Sequence, residues 1–195
     1  MSDADHTDDP NITGFIRHPL IERMGVVHGF GTRDSVAPAG TLRPIQVHGA
    51  DVVHVDKKRQ YLETEADAIV CNRPAGTVAI VTADCIPILA CSESGRAVAA
   101  IHAGWRGLAK GVVEAGIDAL RGIAATGEQI CAVIGPHIGN CCYEVDASVL
   151  GVMTQRFGAE VVSRASNPTR QGHARLSLAE LAVASLRRAG VGPGM

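Results

Sequence analysis

The 195-residue sequence predicts an α/β fold, on three observations. Alanine, valine, isoleucine and glycine dominate while aromatics make up only 3%, a mixture that suits tightly layered strands and helices. Short apolar runs of strand character recur through the first two thirds of the chain. Past Trp105-Arg106-Gly107 the period changes from strand-like to helical. The length is ample for one domain with its own core and requires no second.

Residues 1–13 are acidic and aperiodic and are expected to be a disordered tail. Met24 to Arg33 reads as a strand running into a Gly-containing turn, and residues 34–44 as a loop. Ile45 to Gly49 makes a short strand, and Val52 to Val55 a further extended piece beyond the Gly49 break. Lys57 to Glu65 is polar and expected to be exposed; Ala66 to Cys71 reads as another strand. Two apolar runs follow, Val78–Cys91 and Val98–Gly104, joined by Ser92-Glu93-Ser94-Gly95. Each is too short for a typical helix, so they read as buried strands with a tight connection.

Val112, Val113, Gly116, Ile117 and Leu120 then form one stripe of a helix that Gly122 would stop. Ile130 to Pro136 is the next buried strand, and 137–145 a loop rich in special residues. A helix follows with Val149, Leu150, Met153 and Phe157 on one face. In the last helix Ser177 and Glu180 make a capping box, Leu178, Leu181, Ala182 and Leu186 supply the stripe, and Gly190 ends it. There is no internal repeat at a solenoid period.

A formal charge of -2 and so few aromatics argue against nucleic acid as a partner. No apolar run approaches the roughly 20 residues that span a bilayer, and the opening residues lack the pattern of a secretory signal. A cytoplasmic location is therefore expected, with the six cysteines serving as core residues, ligands or nucleophiles rather than disulfides.

Three of the chemically competent side chains stand near strand ends: His48, followed by Gly49; Cys85, ahead of Ile86-Pro87; and His102, ahead of Ala103-Gly104. Two imidazoles and a thiol suit zinc, with a fourth tetrahedral position left for water or substrate. Ligands scattered in sequence point to a catalytic rather than a structural site. The same residues also fit two hydrogen-bonded core histidines with a small buried cysteine, or a metal-free Cys85 nucleophile with His102 as base. Asp84 reads as a general base or a partner of a ligating histidine, provided the strand breaks there as Pro87 suggests; a solvent-facing carboxylate or turn cap is the plain alternative. Arg106, ahead of the first long helix, suits an anion site, or else pairs with a carboxylate or stacks on Trp105. Arg33 has a similar, weaker case. Cys141 and Cys142 would diverge on a strand and read as packing residues near the site, with a redox or auxiliary metal role as the alternative. His6, His18, His28, His54 and His173 lack a constellation.

Four blocks stand in order: Gln46-Val47-His48-Gly49, Thr82 to Pro87, His102 to Gly107, and Gly135-Pro136-x-Ile138-Gly139-x-Cys141-Cys142-Tyr143-Glu144-Val145. They closely resemble the purine nucleoside phosphorylase family long labelled laccase-domain or multicopper polyphenol oxidase proteins, from about Gly25 to Gly190. The resemblance implies one catalytic domain over 14–195 with two packed mixed β-sheets and outer helices, a four-layer α-β-β-α sandwich. It implies that His48, Cys85 and His102 hold Zn2+, with Cu2+ as the alternative ion, and that the substrates are purine nucleosides and phosphate. Phosphorolysis of adenosine, inosine and 5′-methylthioadenosine, and adenosine deamination, are the implied reactions, with Asp84, Arg106 and Arg33 as catalytic candidates. The expected partners are small molecules and a second copy in a homodimer, not nucleic acid or a membrane.

The chain departs from the family pattern twice. Only Asp34 to Ile45 connects Gly29-Phe30-Gly31-Thr32-Arg33 to the Gln46-Val47-His48-Gly49 block, where family members usually carry a longer segment, and the family's later Ser-Tyr-Arg-Arg-like and Thr-Gly-Arg blocks are not among the 195 residues. Contacts made by those parts are expected to be missing or to come from a neighbouring subunit. A copper oxidase of phenols is disfavoured, because eight scattered histidines lack the paired motifs of a multicopper centre.

Overall fold

A computed structural model describes residues 14–55, 63–72 and 76–192. The expected tail over 1–13 and most of the polar stretch from Lys57 lie outside the described residues. The elements run α1 (Pro19–Glu22), β1 (Val52–Val55), β2 (Ala68–Cys71), β3 (Ile86–Ser92), β4 (Val98–Ala103), α2 (Trp105–Lys110), α3 (Val112–Ile123), β5 (Ile130–Ile134), β6 (Glu144–Asp146), α4 (Ala147–Phe157), α5 (Ala159–Ala165), β7 (Ser166–Pro168), β8 (His173–Leu176) and α6 (Leu178–Arg188).

Five strands form one sheet in the order β1-β2-β4-β3-β5, and three form a second in the order β6-β8-β7. Only β1 and β2 pair in parallel; every other named pairing is antiparallel. The fold is mixed α/β, two packed sheets flanked by helices, consistent with an α-β-β-α sandwich.

The larger sheet is buried on both faces, which explains why its strands read as continuous apolar runs rather than alternating ones. Along β4, Ala99, Ile101 and Ala103 join a cluster with Leu108, Val113, Ile117, Leu181 and Leu186, while Ala100 joins Val53, Val55 and Ile69 in a second cluster. The first cluster also takes in Val145 of β6 and Leu176 of β8, so the two sheets share one core. A third cluster sets α1, through Leu20 and Ile21, against Val133 and Cys91.

Helix α3 buries the stripe its periodicity predicts, Val112, Val113, Gly116, Ile117 and Leu120. It runs one residue past Gly122, and its C-cap is Ala124. Helix α6 starts where the capping box places it, with Ser177 Oγ accepting from Glu180 N–H at 3.3 Å. On α4 the N-cap is Asp146, whose carboxylate accepts from Val149 N–H.

Two expected strands do not form as such. Between Met24 and Arg33 the only ladder contact among the described residues is the bridge of Phe30 to Ile16. Side chains take the place of a partner strand there: His28 Nδ1 donates to Val26 O, and His28 Nε2 accepts from His18 N–H. Ile45 to Gly49 likewise contributes one bridge, Ile45 to Glu65, before bending at His48. The long run Val78–Cys91 is also divided. It bends over 83–85, and β3 begins only at Ile86. Among the described helices, none is long and apolar enough to cross a membrane.

Candidate metal centre

Strand register assembles the site at one end of the larger sheet. Ile86 of β3 pairs with Ala103 of β4, which sets Cys85 and Gly104 against each other just beyond the ladder. On the other side of β4, Ala68 pairs with Ile101, and His102 N–H donates to Asp67 O at 2.8 Å. Three strand ends therefore present Cys85, His102 and Asp67 together.

His48 arrives from the loop ahead of β1 in a left-handed conformation, φ 56°, which a non-glycine residue holds only when its surroundings compensate. Asp67 compensates. Its carboxylate accepts from Val47 N–H (3.2 Å), His48 N–H (3.0 Å) and Gly49 N–H (2.6 Å). Lys110 of α2 donates to His48 O at 3.2 Å. Gln46 pins the same loop to the 81–85 segment, its amide donating to Val81 O and accepting from Val81 N–H, both at 2.7 Å.

The Asp67 carboxylate also accepts from His102 Nδ1 at 2.7 Å, with both side chains buried. That bond fixes the tautomer, leaving Nε2 of His102 as a lone-pair donor. His48 Nε2 lies 3.9 Å from Cys85 Sγ, and the two imidazoles meet edge to face with centroids 4.8 Å apart. One donor atom from each of His48, Cys85 and His102 falls within 4.8 Å of the others. A tetrahedral ion with nitrogen at about 2.0 Å and sulfur at about 2.3 Å would hold those donors about 3.5 Å apart, so a small inward movement completes the set. Gly104 permits the approach: a Cβ there would stand 2.8 Å from Cys85 Sγ and 3.0 Å from His48 Cδ2. The residues fit a divalent ion of the zinc type: soft and borderline donors, one anchored imidazole, three ligands and one open position.

Burial would raise the Asp67 carboxyl, but the hydrogen bonds from His102, Gly49 and Val47 outweigh it and hold the pKa below its ordinary value. Burial pushes the Cys85 thiol up, and the nearby Asp84 and Asp67 carboxylates push it further. The protein's own groups thus disfavour a free Cys85 thiolate, the opposite of what a metal-free nucleophile requires; a cation is what offsets that field.

Asp84 is exposed in the bend before Cys85, where the break at 83–85 puts it beside the triad. Its carbonyl accepts from Ile138 N–H at 3.0 Å. Arg106 stands inside the short α2, which precedes the long α3, and its guanidinium lies over Trp105, 4.5 Å from the ring centroid. Arg33 is exposed on the turn after Phe30, whose ring abuts Gly135; no hydrogen bond or ion pair among the described residues joins it to the triad.

Sequence reasoning missed two residues. Asp67 had one signal, a lone carboxylate inside the apolar run Ala66–Cys71. Tyr143 is half-buried beside the triad, its hydroxyl pushed up by burial and by Cys85, with Arg106 pulling it down and Asp84 adding to the rise. Cys141 and Cys142 are exposed rather than packed, and they converge: their sulfurs are 3.0 Å apart.

Residues 32–194 match the family described as multi-copper polyphenol oxidoreductase laccase. The chain is 44% identical over 122 residues to purine nucleoside phosphorylase YfiH of Shigella flexneri, covering 60% of this chain and 49% of that protein. Over 191 residues it is 32% identical to a purine nucleoside phosphorylase of Deinococcus radiodurans, covering 96% of this chain and 67% of the relative. Among solved structures, Neisseria meningitidis protein NMB0706 is similar with a TM-score of 0.69 and 33% identity, over 78% of this chain and 60% of that one. YlmD from Geobacillus stearothermophilus gives 0.67 and 29%, over 80% and 61%. The chain spans about half the length of the curated relatives it matches first. With four motif blocks, one fold and one donor cluster in agreement, the chain belongs to the multi-copper polyphenol oxidoreductase laccase family, whose curated members here carry the name purine nucleoside phosphorylase.

Proposed function

We propose that this chain is a zinc-dependent enzyme of purine nucleosides, carrying out phosphorolysis of adenosine, inosine and methylthioadenosine, adenosine deamination, or both. The observation that carries the reading is the convergence of His48, Cys85 and His102 around one ion-sized space, with Asp67 holding the His102 imidazole and the His48 backbone N–H. An ion held there supplies Lewis acidity at one open position, to water or to substrate.

The chain's own groups divide the remaining work. Asp84, exposed beside Cys85, accepts a proton from the attacking group or accepts a hydrogen bond from an N–H of the purine. Arg106, braced on Trp105, and Arg33 are the cations available to phosphate; stacking leaves the guanidinium edge of Arg106 free to hydrogen-bond in the plane. Val47 and Val81, exposed on the segments that Gln46 ties together, offer apolar surface for a flat base. The family label notwithstanding, the described residues contain one His/Cys/His group of this kind, and a multicopper centre needs several. Copper in this single site remains the alternative ion. A metal-free Cys85–His102 hydrolase is disfavoured by the raised Cys85 thiol.

The test is metal analysis of the purified protein, followed by incubation with adenosine and phosphate and separation of adenine from inosine. One equivalent of zinc is expected, with product formation lost on chelation and restored by zinc. Adenine without inosine assigns phosphorolysis; inosine without adenine assigns deamination. Arg106→Ala is expected to raise the phosphate KM several-fold; an unchanged KM and kcat would remove the phosphate role. Full activity after exhaustive chelation would overturn the metal reading altogether.

A further inference from the structure

Of the five cysteines outside the triad, Cys131 is half-buried and the other four fall into two groups. Cys71 and Cys91 are buried, and burial together with nearby Cys131 pushes the Cys91 thiol up to about 12. A thiol so placed is inert at neutral pH. Cys141 and Cys142 are exposed, and their sulfurs lie 3.0 Å apart. Neighbouring side chains on a strand would point to opposite faces. Here the backbone is in a turn closed by Cys142 N–H donating to Gly139 O at 3.0 Å, and the turn brings both sulfurs to the same side.

We propose that Cys141 and Cys142 are a reversibly oxidisable dithiol, a modification site that closes to an intrachain disulfide by exchange with a small-molecule disulfide such as oxidised glutathione. In the first step the thiolate of one cysteine attacks a sulfur of oxidised glutathione; the glutathione S–S bond breaks, and one glutathione leaves as its thiolate. In the second, the neighbouring cysteine attacks the protein-side sulfur of the mixed disulfide, and the second glutathione leaves. The dithiol loses two electrons and two protons, and one glutathione disulfide becomes two glutathione thiols. Either sulfur can attack first, with the other 3.0 Å away to resolve the mixed disulfide, although the contact with Cys141 raises the Cys142 thiol. Arg175 acts on Cys142 in the opposite sense, a cation beside the pair that suits an anionic disulfide reagent. The same turn is joined to Asp84 through Ile138 N–H and leads directly into Tyr143, so the dithiol's oxidation state changes the stiffness of the segment bordering the triad.

The experiment treats the reduced full chain, with and without one equivalent of zinc, with oxidised glutathione and maps each cysteine by mass spectrometry. The peptide carrying Cys141 and Cys142 is expected to lose two hydrogen atoms without retaining glutathione, and dithiothreitol should restore it. Cys71 and Cys91 are expected to remain thiols. Cys142→Ser should trap a stable glutathione adduct on Cys141, and Cys141→Ser one on Cys142, because neither variant keeps a resolving thiol. Both substitutions lie in an exposed turn, and a circular dichroism spectrum checks that the fold is kept. A pair that stays reduced while other cysteines react would overturn the proposal, as would a wild-type mixed adduct that never closes. The readout requires no nucleoside turnover, so its failure is distinct from failure of the proposed enzyme function.

Discussion

At Asp67 two carboxylate oxygens serve four donors, the N–H groups of Val47, His48 and Gly49 and the Nδ1–H of His102. Asp67→Asn leaves one acceptor and turns an amide N–H toward groups that also donate. Zinc affinity, measured by competition with a chelator, is expected to fall about 10- to 100-fold, with the secondary structure retained. The same residue sets an acid limb. Its folded pKa lies below the ordinary value of 3.8, so its contribution is complete above that value and is lost as pH falls through the lower folded one. Urea unfolding of metal-free protein should therefore show a shallower acid limb for Asp67→Asn than for wild type. Gly104→Ala tests the close approach of the ligands. The added methyl would meet Cys85 Sγ at 2.8 Å and His48 Cδ2 at 3.0 Å, and the purified variant is expected to hold markedly less than one equivalent of zinc.

The elements show what was legible in the sequence. Amphipathic stripes carried α3 and α6 almost residue for residue, because a helix that covers a sheet needs one apolar face and no more. The β3 and β4 runs were legible from their unbroken apolar character. Their register was not, yet register is what sets Cys85 opposite Gly104. Short pieces such as α1, α2, α5 and β6 to β8 contain too few residues for a period to show. The Met24 to Arg33 segment misled because His28 satisfies backbone groups that a neighbouring strand would otherwise take. Asp67 escaped because a single acid among alanines has no repeat to betray it. Element packing yields its own prediction at Gly116, where α3 crosses β4. A Cβ there would meet Ile101 Cδ1 at 2.6 Å and Cγ1 at 2.8 Å, with the sheet behind them. Gly116→Ala is expected to cost about 1–3 kcal/mol of unfolding free energy, read from urea melts, with zinc stoichiometry preserved.

At the scale of the whole molecule, the site draws on four separate stretches: the loop before β1, the residue before β2, the bend before β3 and the end of β4. An ion bound there favours the folded chain over the unfolded one, by about 4 kcal/mol when its free concentration is 1,000 times Kd. Chelation is accordingly expected to lower Tm in wild type and to leave Asp67→Asn much less affected, as differential scanning calorimetry would record. The composition foretold a layered α/β protein, and the ordered motif blocks picked out the three residues, His48, Cys85 and His102, that the fold brings together. How the small sheet joins the common core through Val145 and Leu176 depended on long-range pairing that no local pattern encodes.

Asp67 immediately precedes β2 and tethers two segments that approach from opposite sides of that strand. A one-residue slip of β2 would carry its carboxylate to the other face and release the His48 loop and the His102 ring in the same event. Misaligned chains would therefore lose both imidazoles at once instead of keeping a half-built cage. Ion uptake by a refolding population should then divide it into loaded and empty molecules with few in between, making metal content a census of correctly threaded chains.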